Sequence, residues 1–279
     1  MSEGGNRRLF SDVQVSVDGA IGGLVLDRPE RLNALTYETL RQLAAAARWF
    51  DDQEGVKVVV VRGEGRLFCA GFDTRALGAG DAGSVPGGAG SARDNAELGR
   101  LMADAIGAMR AVTIAEVHGR AVGGGMVLMM ACDLRVVSDD VLLSLPEMDL
   151  GIPLTWGAVP RLVREIGPAA TKDLVLTCRE VGAGEALRLG LVNAVAARDA
   201  LRATVAAMAT SIARKSRLTI DQTLAQVDAA AEQLVTTSGG AADADLLAAA
   251  VADAESRAVG RAFVAQRAAA RPRDRDKPH

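Results

Sequence analysis

The chain contains few cysteine, histidine and aromatic residues, and it has no long hydrophobic run. Its 279 residues include three cysteines and two histidines, and aromatic residues make up 3% of the total. Cys69, Cys132 and Cys178 are too few and too scattered for a disulfide framework, and no C-x-x-C pair indicates a zinc site. No apolar run approaches the roughly 18 residues of a membrane-spanning helix, and residues 1–12 lack the apolar segment of a signal peptide. We therefore expect a cytoplasmic protein with reduced thiols, no bound metal and no membrane contact.

An excess of positive charge is also missing. The formal net charge is −3, so the chain has no electrostatic footprint for nucleic acid. Hydrophobic residues amount to 49%, which allows a sizeable core, and the scarcity of aromatics means that alanine must fill much of it. A chain of this length is expected to form one large domain, or one domain with an appendage.

The hydrophobic pattern predicts an α/β fold with a largely parallel sheet. Residues 13–17 and 21–26 alternate around Asp18-Gly19, which is a hairpin signal, and Thr36 is the predicted N-cap of the helix that follows. Later strands alternate with helices, which implies crossover connections, and beyond Pro153 the pattern is helical almost to the end. The predicted strands are 56–61, 112–117 and 133–137, and the predicted helices are near 94–110, 124–131, 156–166, 168–177, 183–189, 199–215 and 217–236.

A glycine turn leads into the most apolar of these helices. The segment Glu116–Val127 runs from a predicted strand through Gly123-Gly124-Gly125 into a helix that ends near Cys132. Glycines let a ligand approach the backbone, and the first N–H groups of a helix lack an intrahelical acceptor. Such a turn can hold an anion or a developing oxyanion. Glycine runs also serve close helix packing, and this segment alone fits both interpretations.

A second turn of small residues follows the strand 56–61. It comprises Gly65-Arg66-Leu67-Phe68-Cys69-Ala70-Gly71-Phe72-Asp73 and can present another backbone N–H. Two backbone donors that converge on one oxygen are what acyl chemistry needs, because charge moves onto the thioester or ester carbonyl in the transition state.

Five segments in this order resemble the crotonase superfamily of enoyl-CoA hydratases and isomerases. The resemblance covers roughly residues 13–200 and continues weakly to about 267. It implies a crotonase-like ββα superhelix with a mostly parallel sheet core and a C-terminal helical region. Residues 1–200 would form the acyl-CoA-binding catalytic core, and residues 201–279 a helical trimerisation region with a basic tail. The segments are Asp27–Leu35, Phe68–Asp73, His118–Gly125, Cys132–Arg135 and Pro146–Leu162.

The resemblance also implies site residues. The N–H groups of Phe72 and Gly124 would form an oxyanion hole for an acyl-CoA thioester, with coenzyme A as part of the substrate and no separate cofactor. A C-terminal helix would place Phe263 and Arg267 against the CoA of a neighbouring subunit in a trimer or a dimer of trimers, with Gln266 where a lysine is often found. The other CoA-contacting positions implied are Arg31, Ala34, Ala70 and Asp73.

Proton transfer depends on which acidic side chains are present. The family hydratases use two glutamates; one is present here as Glu147, but the other position holds Val127. A lone carboxylate can still move a proton between two carbons of one substrate, which favours an isomerase over a hydratase. The apolar neighbours of Glu147 are expected to raise its pKa toward neutrality. A divergent hydratase, another crotonase-fold hydrolase or decarboxylase, and a catalytically weak acyl-CoA-binding protein remain alternatives.

Other positions refine this interpretation. Cys69 has no recognisable base beside it, and His118 is predicted to be a structural turn residue. Thr155 stands where dehalogenase and dienoyl-isomerase relatives carry an aspartate, which disfavours those reactions, and Trp156 is expected to narrow the acyl pocket. Residues 78–92 are rich in glycine and alanine, which predicts either a lid over the site or an insertion without a role.

Overall fold

The computed structural model describes residues 10–73, 92–236 and 242–269. The predicted lid therefore lies outside the described residues except for Ala92, and so does the basic tail beyond residue 269. The strands are β1 (Val13–Asp18), β2 (Ile21–Leu26), β3 (Val58–Gly63), β4 (Val112–Val117), β5 (Arg120–Val122), β6 (Leu134–Ser138), β7 (Leu142–Ser144), β8 (Val181–Gly182) and β9 (Ala194–Ala196). The helices are α1 (Tyr37–Asp51), α2 (Ala92–Gly107), α3 (Gly124–Ala131), α4 (Ala158–Thr177), α5 (Ala183–Leu189), α6 (Leu201–Ala213), α7 (Arg217–Leu234), α8 (Asp243–Ala252) and α9 (Ala254–Ala269).

The larger sheet has the strand order β1-β2-β3-β4-β6-β9. The hairpin β1–β2 is antiparallel, and each later pairing in this sheet is parallel, which confirms the predicted hairpin and the largely parallel core. Every residue of β4 is buried, as expected for a central strand covered on both faces. A smaller sheet, β5-β7-β8, was not predicted, because its strands have only two or three residues each.

The helix α1 begins as its sequence predicts. The side chain of Thr36 accepts a hydrogen bond from the Thr39 N–H, and the Thr39 side chain accepts one from the Thr36 N–H. This reciprocal pair satisfies N–H groups that the helix leaves without an acceptor. The predicted apolar face of Leu40, Leu43 and Ala47 is buried against the core.

The helix α4 differs from its prediction at both its start and its middle. The predicted helices 156–166 and 168–177 form one run with a kink at Gly167, where φ is 76° and Pro168 follows. The first half begins at Ala158 rather than at 156, because Trp156 and Gly157 both adopt left-handed backbone angles, with φ of 64° and 67°. A bulky residue rarely takes this conformation, so periodicity alone does not reveal the boundary.

The C-terminal helices contribute to the core and also contact two turns of the same chain. On one face of the larger sheet, α6 buries Leu201 and Val205 against β3, β4 and β6. Further along, the Asp243 carboxylate of α8 accepts a hydrogen bond from the Gly157 N–H at 2.7 Å. Gly260 of α9 lies directly on the Leu150 carbonyl. The division at residue 200 stays a prediction, and α8 and α9 fold back over residues 150–157.

Two further findings concern membranes and metals. Among the helices of the described ranges, none is long and apolar enough to cross a membrane. Within the same residues, no three His, Cys, Asp or Glu side chains are grouped so that they could hold a metal ion.

Candidate active site

The two glycine-containing turns singled out in the sequence lie side by side. Short parallel bridges join Cys69 to Ala121 and Leu35 to Phe72. A side chain on Gly71 would place its Cβ 2.6 Å from the Val122 carbonyl oxygen, so the turns meet with backbone against backbone. This approach brings the N-terminal end of α3 to the turn that carries Phe72.

The candidate oxyanion donors lie between N–H groups that are already used. The N–H of Gly71 donates to the Cys69 thiol sulfur at 3.4 Å, and that of Asp73 donates to the Leu35 carbonyl at 2.8 Å. On the facing turn the Gly123 N–H donates to the Ser144 carbonyl at 2.9 Å. Gly124 opens α3, where an N–H has no intrahelical acceptor. The N–H groups of Phe72 and Gly124 are therefore the candidates to bind a substrate oxygen.

The side chain of Asn33 supports the turn of residues 65–73. Asn33 is 1% exposed and has a left-handed φ of 51°, which asparagine tolerates better than most residues. Its amide nitrogen lies within hydrogen-bond distance of the carbonyls of Glu64, Leu67 and Phe68, at 2.8–3.1 Å, and its amide oxygen accepts from the Arg28 N–H. Asn33 lies inside the family segment 27–35, but its residue type and position predict no role for it. Its left-handed conformation and its buried bonds become visible only in the folded chain.

We expect Asn33→Ala to lower the free energy of unfolding by about 3 kcal/mol, because it leaves buried carbonyls without a donor and places alanine in a left-handed conformation. Urea titration followed by circular dichroism measures this loss. Gln53→Ala is a suitable control, because it removes a single side-chain hydrogen bond, to the Trp49 carbonyl, just beyond the C-terminal end of α1. It should change stability by less than about 0.5 kcal/mol. A loss below about 1 kcal/mol for Asn33→Ala would show that the turn does not depend on this side chain.

Glu147 lies against the glycine turn of residues 123–125. It follows β7 and the buried Leu145, and its backbone carbonyl accepts from the N–H groups of Leu150 and Ile152 at 3.0 Å each. A side chain on Gly123 would place its Cβ 2.5 Å from the Glu147 Oε1. Gly123 also has a φ of 50°, which is disfavoured for any residue with a side chain. A glycine is therefore required at position 123 for the carboxyl to reach this place.

Burial sets the acidity of Glu147. Its Oε2 atom is buried, and no hydrogen-bond partner for it occurs among the described residues. Removal from water disfavours the charged form and raises the pKa of Glu147 to about 7. The upward shift expected from the apolar neighbours is confirmed. A carboxyl with this pKa can both take up and release a proton near neutral pH.

No second carboxyl is supplied by the α3 residue one turn beyond Gly123. Val127 is 2% exposed, and its N–H donates to the Gly123 carbonyl at 3.0 Å. The buried Glu116, whose pKa is also raised by burial, lies on the sheet face that packs on α6, and its carboxylate is 3.8 Å from the Arg202 side chain. Of Glu116 and Glu147, it is Glu147 that lies against the glycine turn 123–125.

Aromatic side chains form one wall beside the turns. The rings of Tyr37 and Phe72 are 5.1 Å apart, and those of Phe72 and Trp156 are 5.9 Å apart in an edge-to-face arrangement. A Cβ on Gly124 would lie 2.5 Å from the Cζ3 atom of Trp156. The sequence indicated that Trp156 could narrow a pocket. Its contact with both candidate donor residues was not foreseen.

The residues that the resemblance assigns to CoA fall into two groups. Ala34, Ala70 and Asp73 lie on neighbouring segments, because the Ala70 N–H donates to the Leu32 carbonyl at 3.0 Å beside the Leu35–Phe72 bridge. Arg31 is exposed at the end of the short 3-10 helix Pro29–Arg31.

The second group lies on α9. The half-buried Phe263 follows Gly260 by about one turn, and Arg267 lies a further turn along the helix. The contact of α9 with Leu150 occurs within one chain, whereas the resemblance places this helix against the CoA of a neighbour. The assignment of Phe263 and Arg267 to CoA binding therefore stays a prediction.

Two other residues have structural roles, as the sequence analysis expected. Cys69 is fully buried, its thiol donates to the Asn33 carbonyl at 3.1 Å, and burial raises the pKa of this thiol to about 12. It is thus unsuited to act as a thiolate nucleophile near neutral pH. The Nε2 atom of His118 lies 3.0 Å from the Gly65 carbonyl, and burial lowers the pKa of this imidazole.

Two candidate backbone donors beside one buried carboxyl with a pKa of about 7 form an arrangement typical of enzymes that stabilise an enolate. The comparisons agree with this class. The family model for Enoyl-CoA hydratase/isomerase matches residues 17–270. The chain therefore belongs to the enoyl-CoA hydratase/isomerase family, it is an enzyme of that type, and its fold is that of the crotonase superfamily.

Individual relatives show the breadth of this family. The chain is 35% identical to "Probable enoyl-CoA hydratase echA8" of Mycobacterium bovis over 207 residues, which cover 74% of this chain and 77% of the relative. It is 32% identical to the peroxisomal Delta(3,5)-Delta(2,4)-dienoyl-CoA isomerase of Arabidopsis thaliana over 220 residues, with coverage of 76% and 79%. The crystal structure of "a putative enoyl-CoA hydratase" from Thermobifida fusca in complex with CoA is similar to this chain with a TM-score of 0.73 at 26% identity. The match covers 92% of this chain and 93% of the Thermobifida fusca chain.

Proposed function

We propose that the protein is an enoyl-CoA isomerase that moves the double bond of a 3-enoyl-CoA thioester into conjugation at C2. The observation that carries this proposal is that the site has one of the two family glutamates, Glu147, and a valine, Val127, at the position of the other. Glu147 lies on Gly123 with a pKa raised to about 7, and the position from which family hydratases supply a second glutamate is a buried valine. One carboxyl can serve both proton-transfer steps of an isomerisation.

The proposed mechanism needs no water. The Glu147 carboxylate removes a proton from C2, and the electron pair of that C–H bond moves into the thioester carbonyl to form an enolate. The N–H groups of Phe72 and Gly124 stabilise the enolate oxygen. The carbonyl re-forms as the C3–C4 double bond shifts to C2–C3, and C4 takes the proton back from Glu147. Substrate and product have the same atoms, and the enzyme returns to its starting state.

Hydration of a 2-enoyl-CoA is the second candidate, favoured by the hydratases among the relatives. It would require Glu147 to activate water without the second carboxyl. Dienoyl isomerisation is not proposed, although one relative carries that name, because Thr155 replaces the aspartate that the resemblance implies for it. Turnover of matched 2-enoyl and 3-enoyl thioesters separates the first two reactions. No turnover of any thioester would leave an acyl-CoA-binding protein.

We expect Val127→Glu to raise hydration of a 2-enoyl-CoA from a low baseline, because it restores the second carboxyl one helical turn beyond Gly123. Val127→Gln has nearly the same size but cannot act as a base, so it is the matched control and should leave hydration low. Loss of the conjugated double bond, followed by absorbance, measures the rate. If the wild type hydrates a 2-enoyl-CoA faster than it isomerises the matching 3-enoyl-CoA, and Val127→Glu changes little, the hydratase assignment replaces ours.

The remaining proposals concern binding, assembly and location. Binding of the CoA portion along Arg31, Ala34, Ala70 and Asp73 is supported by family membership and by the CoA complex of the Thermobifida fusca relative.

Assembly into a trimer or a dimer of trimers is supported by exposed apolar side chains on C-terminal helices, such as Leu246 at 54% exposure, and light scattering tests it. A cytoplasmic location is consistent with three free thiols, and cell fractionation tests it.

A further inference from the structure

Trp156 occupies an unusual place beside the candidate oxyanion donors. Its indole ring lies directly on Gly99 of α2 and on Gly124 of α3, and either position could accept a Cβ only if the ring moved. Its edge-to-face contact with Phe72 extends the same wall. The ring therefore touches both residues whose N–H groups would bind the thioester oxygen.

The backbone around Trp156 is held so that the ring has little room to retreat. Its left-handed φ of 64° is rare for a bulky residue and persists only where neighbouring groups maintain it. The next residue, Gly157, donates its N–H to Asp243 of α8 at 2.7 Å, and its carbonyl accepts from Arg161 at 2.9 Å. Arg161 in turn pairs with Asp104 of α2 at 2.8 Å. Two separate helices therefore anchor the turn that carries the indole.

We propose that Trp156 closes the α2 side of the acyl pocket and restricts the enzyme to thioesters with short acyl chains. A thioester with its oxygen on the Phe72 and Gly124 donors and its C2 atom at Glu147 starts its acyl chain next to this ring. The indole fills the space over Gly99 through which a longer chain would run toward α2. This inference rests on the proposed acyl-CoA reaction and adds to it the chain length of the substrate.

The test compares Trp156→Leu with the wild type on butenoyl-CoA and decenoyl-CoA thioesters. The ratio of kcat/KM for the long substrate to that for the short one should rise at least about tenfold, because a few methylene groups in an apolar pocket are worth that much discrimination. Trp49→Leu is the matched control, since it removes the chain's other tryptophan, whose ring packs on Phe50 at 4.9 Å on α1. This control should leave the ratio unchanged.

A second variant covers a failure of Trp156→Leu to fold. Trp156→Phe keeps an aromatic ring on the same backbone and should move the ratio in the same direction by a smaller factor. An unchanged ratio in folded Trp156 variants of an active enzyme would overturn the chain-length proposal and leave the isomerase assignment intact. If the wild type turns over no thioester, the isomerase assignment fails, and affinities for butyryl-CoA and decanoyl-CoA measured by calorimetry decide the chain-length proposal through the same ratio.

Discussion

The variant Glu147→Gln is expected to lose about a hundredfold to ten-thousandfold in kcat for isomerisation, which is the range that a general base contributes. Its affinity for the acyl-CoA thioester should stay close to that of the wild type, because glutamine has nearly the same shape and the buried carboxyl makes no described ion pair. Single-turnover kinetics and calorimetry with a substrate analogue measure the two quantities separately. Asp149→Asn is the matched control, because Asp149 has an exposed carboxyl two residues after Glu147, and this variant should keep the wild-type kcat.

The pH dependence tests the same residue. Glu147 is active as the carboxylate and has a pKa raised to about 7 by burial, so kcat/KM should rise with pH up to about 7 and level off above it. Stability should change in the opposite direction. A carboxyl whose pKa is raised in the folded state stabilises the fold at low pH, and this contribution is lost as pH increases through about 7.

The wild type should therefore lose stability relative to Glu147→Gln between about pH 4 and about pH 8. Urea titrations across this range measure the difference.

An undiminished rate for Glu147→Gln on every thioester tried would exclude Glu147 as the base.

The variant Gly124→Pro should reduce kcat by about a hundredfold to a thousandfold relative to Gly124→Ala, because only proline removes the N–H that would stabilise the enolate oxygen. Both substitutions place a Cβ against Trp156, where the distance to Cζ3 is 2.5 Å, so the comparison cancels the effect of that Cβ. Proline is tolerated at the first position of a helix, which Gly124 occupies. The difference between the two variants therefore reports the loss of the N–H together with the ring carbon that proline puts in its place.

Folding of both variants must be verified by circular dichroism and thermal unfolding, since a disrupted turn would also abolish activity. Gly124→Ala itself is expected to be slower than the wild type, because its Cβ displaces the indole. If folded Gly124→Pro and folded Gly124→Ala have equal rates, the Gly124 N–H does not take part in the reaction.

Much of the fold could be predicted because its signals are local. The alternation of β1 and β2, the hydroxyl cap at Thr36 and the apolar run of α3 each depend on residues close together in the chain, and the structure confirms all three. The small sheet was missed because strands of two or three residues are too short to show a period. The start of α4 was misplaced because the backbone of Trp156 is held by groups on α2 and α8 that are distant in sequence.

The candidate site divides in the same way. The order and spacing of its segments, the absence of a second glutamate at Val127 and the presence of Glu147 were determined by the sequence alone. Only the tertiary structure decided that the Glu147 carboxyl lies against Gly123, that Asn33 supports the turn of residues 65–73 and that the Trp156 ring touches Phe72 and Gly124. The physical reason is that residue type sets which protons and hydrogen bonds a side chain can offer. Desolvation, close approach and a maintained left-handed backbone depend on neighbours that only the folded chain brings together.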